Sequence, residues 1–151
     1  MNTVSSIAFS LLVGTAASAL PLAQDGGASM YRFPDISNDE IVFAYGNDLW
    51  RVPIEGGTAL PLASPDGVET IPRFSPDGGE VAFVGNYDGN RDIYVVPTKG
   101  GMPRRITHHP TSERLSDWTA DGDLLYSARG MGGVPRAERI YMVGGEGGLS
   151  E

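Results

Sequence analysis

Three landmarks recur in one order along this chain, and that recurrence limits the available folds more than any other feature. The first is a turn leading into a strand that closes on an aromatic residue: Ile36-Ser37-Asn38-Asp39-Glu40-Ile41-Val42-Phe43, then Phe74-Ser75-Pro76-Asp77-Gly78-Gly79-Glu80-Val81-Ala82-Phe83, then Trp118-Thr119-Ala120-Asp121-Gly122-Asp123-Leu124-Leu125-Tyr126. The second is an apolar block: Asp48-Leu49-Trp50-Arg51-Val52-Pro53, Asp92-Ile93-Tyr94-Val95-Val96-Pro97 and Arg139-Ile140-Tyr141-Met142-Val143-Gly144. The third is a glycine pair, at Gly56-Gly57, Gly100-Gly101 and Gly147-Gly148. The closing aromatics stand 40 and 43 residues apart and the glycine pairs 44 and 47. A period of this length, built from short strands and turns, is that of the blades of a β-propeller.

The local chemistry explains why the units make hairpins. In Ser75-Pro76-Asp77-Gly78, proline presets φ, aspartate bonds back to the backbone, and glycine takes the position that needs positive φ. Asp121-Gly122 repeats the device. A second Ser-Pro-Asp-Gly, at 64–67, has no strand of the same pattern behind it and reads as a loop between units. The strands Ile41 to Tyr45, Val81 to Val84 and Leu124 to Tyr126 are apolar on both faces, as strands covered on both sides are. With 21 glycines and 11 prolines, nearly every window is interrupted, and no helix of ten residues fits between caps. The fold class is therefore all-β: a partial, incomplete β-propeller of about three blade-like four-stranded repeats, over about 31–72, 73–116 and 117–151.

Length sharpens this expectation. Without the leader described next, 132 of the 151 residues remain, about three units, whereas a ring takes four to eight. The third unit reaches Ser150-Glu151 directly after its glycine pair. The sequence therefore reads as the N-terminal fragment, or truncated reading frame, of a larger propeller protein.

Ile7 to Ala19 is an apolar run of 13 residues, the length of a signal-peptide core and short of a bilayer span. Ala17-Ser18-Ala19 offers the small-x-small cleavage pattern, which places cleavage after Ala19 and residues 1–19 in a signal peptide. Met1 to Ser6 lacks the usual Lys or Arg, and the alternative is an apolar first strand or a misassigned start. Residues 20–30, with Gln24-Asp25-Gly26-Gly27-Ala28-Ser29, read as a flexible mature N-terminus. The expected location is periplasmic or secreted, the alternative cytoplasmic.

Charge and composition exclude several functions. Eleven Lys plus Arg against 19 Asp plus Glu give a net charge of −8, which argues against a phosphate-binding stripe for nucleic acid and against acidic membranes. The absence of cysteine removes disulfides, thiol catalysis and Cys-based zinc. The two histidines, His108 and His109, sit in a Thr-His-His-Pro stretch that reads as an inter-blade loop. No G-x-S-x-G, H-E-x-x-H or H-x-x-E-H pattern accompanies them. Asp88, Asn90 and Asp92 alternate like the start of a calcium loop, but the sixth and twelfth positions hold Ile93 and Lys99 where glycine and glutamate are required, so a hairpin turn is expected. Gly144-Gly145-Glu146-Gly147-Gly148 lacks the phosphate-loop pattern and reads as a turn. Trp50, Tyr94 and Tyr141 recur at one blade position, which favours core packing over a stacking platform. No catalytic residue, no cofactor-binding residue and no metal ligand is assigned, and no cofactor is expected.

The stretch Tyr31 to Pro110 carries R-F-P-D-I-S-N-D-E-I-V-F, G-N-D-L-W-R-V-P-I-E-G-G-T-A, R-F-S-P-D-G-G-E-V-A-F-V-G-N-Y-D-G-N-R-D-I-Y-V-V-P and G-G-M-P-R-R-I-T-H-H-P. It closely resembles the start of the tricorn proteases, with a looser match after Trp118, where Arg129 to Ala137 looks like an enlarged hairpin loop. F-S-P-D-G is shared with TolB-like propellers and prolyl-oligopeptidase-like enzymes; the P-D-I-S start, D-L-W and the Y-D-G-N-x-D-I-Y run are more specific. The resemblance implies about half of a first, six-bladed propeller, followed in the family by a seven-bladed one, a PDZ-like module and serine-peptidase domains. It further implies passage of peptides through the propellers and a homo-hexamer; no position here matches the family's catalytic motifs. Two other readings stand beside this one. The chain could be a TolB-like periplasmic binding module, or a short protein that completes a ring by self-association, two three-blade arcs making six blades.

Overall fold

The computed structural model describes residues 30–63, 65–130 and 137–151. Eleven strands occur among them: β1 (Arg32–Ile36), β2 (Glu40–Tyr45), β3 (Asp48–Pro53), β4 (Leu60–Ala63), β5 (Glu69–Phe74), β6 (Glu80–Gly85), β7 (Asp92–Pro97), β8 (Arg104–Arg105), β9 (Glu113–Trp118), β10 (Asp123–Arg129) and β11 (Glu138–Gly144). No α-helix is found among the described residues. The strands form three antiparallel meanders, β1-β2-β3-β4, β5-β6-β7-β8 and β9-β10-β11. The chain is all-β, with the architecture of a partial β-propeller.

The expected limits between units shift. The sheets comprise 32–63, 69–105 and 113–144, so β5 and β9 open the second and third sheets instead of closing the units before them. The turn that leads into the aromatic-closing strand, Ser-Pro-Asp-Gly at 75–78 in the second sheet, lies between the first and second strands of each sheet and not at its start. Its other copy does join two sheets, Pro65–Gly67 lying between β4 and β5, but a strand follows it directly. The third sheet has three strands among the described residues. Beyond them, Glu151 exchanges both backbone hydrogen bonds with Met142 at 2.9 Å, the register at which Arg104 of β8 pairs with Val95. Most of the enlarged loop expected over Arg129 to Ala137 lies outside the described residues.

Each first strand carries the same irregularity. Phe33-Pro34 opposes the single Phe43, Ile71-Pro72 the single Phe83, and Leu115-Ser116 the single Tyr126. These are β-bulges, and proline is tolerated there because the extra residue has no ladder partner to donate to. Phe33 and Ile71 both have φ of 54°, a left-handed conformation that a bulky side chain adopts only where its surroundings enforce it.

The sheets stack through two apolar seams. Val42, Ala44, Leu49 and Leu62 of the first sheet meet Phe74, Val81, Phe83, Tyr94 and Val96 of the second. The opposite face of the second sheet, Ala82, Val84, Ile93 and Val95, meets Leu115, Leu124, Tyr126, Ala128 and Val143 of the third. The middle sheet is thus covered on both faces, which explains why β6 and β7 are apolar at almost every position.

Candidate functional site

The first strands of the three sheets converge: β1 lies against β5, and β5 against β9. They form one inner rim, with β4 and β8 at the far edges of their sheets. Side chains lock the rim together. Asp35 Oδ2 accepts from the Phe74 N–H (2.8 Å), Arg73 Nε donates to the Ser116 carbonyl (3.2 Å), and Trp118 Nε1 donates to the Arg73 carbonyl (3.0 Å). A groove of about 480 Å³ runs along it, lined by Phe33, Ile71, Arg73, Arg114, Arg139 and Ile140 among others. The bulges aim Phe33 and Ile71 at this groove.

Charge is divided across the rim. The groove gathers Arg73, Arg114 and Arg139 against the single carboxylate Glu138, on a chain whose net charge is −8. Glu138 is held below the usual carboxylate range by the Ser127 hydroxyl and by Arg129. The larger groove at the end carrying the β1–β2 and β5–β6 turns, about 1290 Å³, is acidic. It holds Asp35, Asp39, Glu40, Glu55, Asp77 and Asp117 against Arg51 and Lys99. Asp77 sits low because the Ser75 hydroxyl (2.6 Å) and the Gly79 N–H (3.0 Å) both donate to it. Opposite potentials on adjoining surfaces orient a dipolar or amphipathic chain passing between them.

The residues singled out in the sequence are dispersed. His109 Nδ1 lies 2.8 Å from Thr111 Oγ1 and accepts from the Thr111 N–H, fastening the loop between β8 and β9. Asp88, Asn90 and Asp92 occupy the β6–β7 hairpin, where Arg105 donates to Asp88 (2.9 Å) and to buried Asp92 (2.8 Å). The guanidinium occupies the place that a cation would need. Among the described residues no cluster of three or more His, Asp or Glu side chains is arranged to hold a metal. Tyr94 is buried in the first seam and Tyr141 half-buried beside the second. Trp50 instead lies on the free face of the first sheet, edge-on to Tyr45. Gly144 to Gly148 forms a turn closed by the Gly147 N–H on the Gly144 carbonyl (2.8 Å).

Two buried carboxylates escaped the sequence reading. Glu69 and Glu113 open β5 and β9, and each reaches back to the sheet before it. Glu69 accepts from the Leu49 N–H (2.8 Å) and from the Tyr87 hydroxyl. Glu113 accepts from the Thr107 hydroxyl, which itself takes the Ile93 N–H at 2.9 Å. Burial raises both, Glu113 to about 7. Their separation of 44 residues, equal to that of the first two glycine pairs, was the available signal.

Comparison with known proteins follows this geometry. Residues 28–151 match the family described as the tricorn protease N-terminal beta propeller domain. The chain is 32% identical over 105 residues to tricorn protease homolog 1 of Streptomyces coelicolor, covering 69% of this chain and 10% of that protein. It is 33% identical over 102 residues to a tricorn protease homolog of Saccharolobus solfataricus, covering 63% and 9%. The chain therefore spans about a tenth of the length of these relatives. Among solved structures, the tricorn protease superimposes with a TM-score of 0.69 at 26% identity, over 78% of this chain and 12% of the other. A putative TolB from Agrobacterium tumefaciens gives 0.67 at 21%, over 80% and 44%, a likeness of fold.

Proposed function

Since this chain belongs to the family of tricorn protease N-terminal β-propeller domains, we propose that it forms the first sectors of a non-catalytic ring that shapes the passage of peptides to or from a serine-peptidase core in the intact protein. One observation carries the proposal: the three first strands converge on a rim whose groove combines Phe33, Ile71 and Ile140 with Arg73, Arg114 and Arg139. Apolar side chains take up peptide side chains in any register, and guanidinium groups take carboxylates and backbone carbonyls. Among the described residues the hydroxyl–carboxylate contact on the groove is Ser127 on Glu138 (2.9 Å), and Glu138 is also held by Arg129, which keeps it a weak base; the chemistry assigned to the groove is contact and orientation. A leader over residues 1–19, exporting the protein, belongs to the same proposal.

The test uses the intact peptidase with Arg114→Glu or Phe33→Asp. KM for oligopeptides should rise severalfold while the turnover of a short chromogenic substrate stays unchanged. Equal effects on both substrates, or none on either, would reject the passage role.

A further inference from the structure

Each of the two junctions between sheets carries a buried carboxylate at the same place. Glu69 and Glu113 open β5 and β9 and are 1% and 3% exposed. Both serve the third strand of the preceding sheet at equivalent residues, since Leu49 pairs with Ala44 as Ile93 pairs with Val84. They fasten their junctions differently. At the first, Glu69 takes the Leu49 N–H and the Tyr87 hydroxyl directly, one on each oxygen. At the second, Thr107 stands between: the Ile93 N–H donates to its Oγ1, and its hydroxyl donates to Glu113 Oε2. Glu113 Oε1 is buried with no donor among the described residues.

The groups that face Glu113 do not relieve it. From β7, Asp92 repels it; from β8, Arg105 attracts it, but that guanidinium is held by Asp92 (2.8 Å) and Asp88 (2.9 Å). From β10, Ala128 stands opposite it and Tyr126 faces it as a neutral phenol. His108, in the loop itself, acts on Asp92. The chain that covers the site is also lightly fastened. β8 has two residues, paired with β7 only at Tyr94–Arg105 and Val95–Arg104. The loop after it, 106–112, is tied back by the Ile106 N–H on the Ile93 carbonyl (2.8 Å), Asn90 Nδ2 on the His109 carbonyl (2.9 Å) and Arg105 Nε on the Thr107 carbonyl (2.9 Å). The first junction follows a four-residue β4, and its loop is packed so closely that a Cβ on Gly67 would meet the Tyr87 ring. Segments held by few ladder bonds are the ones that open locally.

We propose that the junction between the second and third sheets is a proton-operated joint, closed on the neutral acid of Glu113 and opened by loss of that proton, which lifts the 106–112 loop off the β6–β7 hairpin and admits water to Oε1. The junction at Glu69 stays shut. A carboxylate with one donor is stable in a dry seam only as the acid, whereas donors on both oxygens offset the cost of its charge. Opening returns Glu113 to water. Between its ordinary value near 4.5 and about 7, each pH unit therefore shifts the balance about tenfold toward the open joint. Arg114 follows Glu113 directly and lines the groove, so the joint sets where that guanidinium stands. The proposal does not rest on peptide passage.

The experiment is hydrogen exchange of the full-length protein between pH 5 and pH 8, read by mass spectrometry on peptic peptides and corrected for the intrinsic pH dependence of exchange. Peptides covering Ile93 and 106–113 should lose protection by roughly fiftyfold to a hundredfold over this range. Peptides covering Leu49 and 68–70 should lose less than about tenfold. Glu113→Gln keeps the shape of the acid without its titration and should make the first set independent of pH, whereas Glu69→Gln should leave the loss at 106–113 as it is. Equal losses in the two sets would mean that the whole stack loosens, and would overturn the joint. So would a wild type whose protection does not change, or a loss that persists in Glu113→Gln. The wild-type comparison decides by itself if a variant fails to fold, and none of these outcomes alters the peptide test above.

Discussion

Glu69 and Glu113 hold the same position in consecutive sheets but are satisfied differently. Both Glu69 oxygens have donors, one supplied by Tyr87. At the place in the third sheet equivalent to Tyr87 stands Gly130, and Glu113 Oε1 is buried without a partner among the described residues. Such an oxygen favours the protonated acid, because burial penalises charge that nothing compensates. The groups facing it sharpen the effect: Asp92 adds repulsion, which Arg105 and the Thr107 hydroxyl oppose. Below its ordinary value near 4.5, folded and unfolded chains both hold the proton and Glu113 costs nothing. Between that value and about 7 only the folded chain holds it, and stability falls by up to about 1.4 kcal/mol per pH unit; above that range the cost is constant. Glu113→Gln removes the titration. In urea unfolding, the stability of the wild type relative to this variant should fall by roughly 2 to 3 kcal/mol between pH 4.5 and 8, whatever constant offset the amide brings. A flat difference would mean that Glu113 is ionised in the folded protein. None of this was legible from residue type: a glutamate in a polar stretch reads as a surface residue, and only its contact with the preceding sheet buries it.

At the scale of elements, turns and central strands were plain in the sequence and first strands were not. Val81 to Val84 and Ile93 to Val96 are apolar on both faces because both faces are covered. Arg32-Phe33-Pro34-Asp35 and Thr70-Ile71-Pro72-Arg73 show no alternation, since a bulge with an internal proline breaks the two-residue period that identifies a strand. The blade limits therefore slipped into β5 and β9, and the groove residues on those strands went unnoticed. The two Ser-Pro-Asp-Gly copies make the same point through geometry. In the hairpin copy, Ser75 Oγ accepts from the Glu80 N–H (2.9 Å), and Gly78, with φ of 71°, has room for a Cβ, its nearest neighbour 3.8 Å away. In the connecting copy, a Cβ on Gly67, with φ of 153°, would lie 2.7 Å from the Tyr87 ring and 2.9 Å from the Asn86 carbonyl oxygen. Gly78→Ala should cost about 1 kcal/mol, the conformational penalty alone. Gly67→Ala should cost at least twice that, because backbone must move. Denaturant titration of the two variants ranks them, and equal costs would show that the connecting loop yields freely.

The whole molecule is a stack, and in a stack the worth of a residue depends on which neighbours its sheet has. Phe43 and Phe83 are the same residue at the same register, each opposite an aromatic partner on the next strand. Phe83 is fully buried between two sheets, while Phe43 is half-buried, with Tyr31 on its edge and no further sheet over it among the described residues. Phe83→Ala should cost about 3 to 5 kcal/mol at any protein concentration, the usual price of an emptied aromatic site in a core. In dilute solution Phe43→Ala should cost far less, since its ring is only partly removed from water. Urea unfolding of both variants and the wild type reads this directly. The Phe83 loss should be at least twice the Phe43 loss, because the same ring at the same register is worth more where a sheet packs on each side of it. Equal losses would show that Phe43 is removed from water as completely as Phe83.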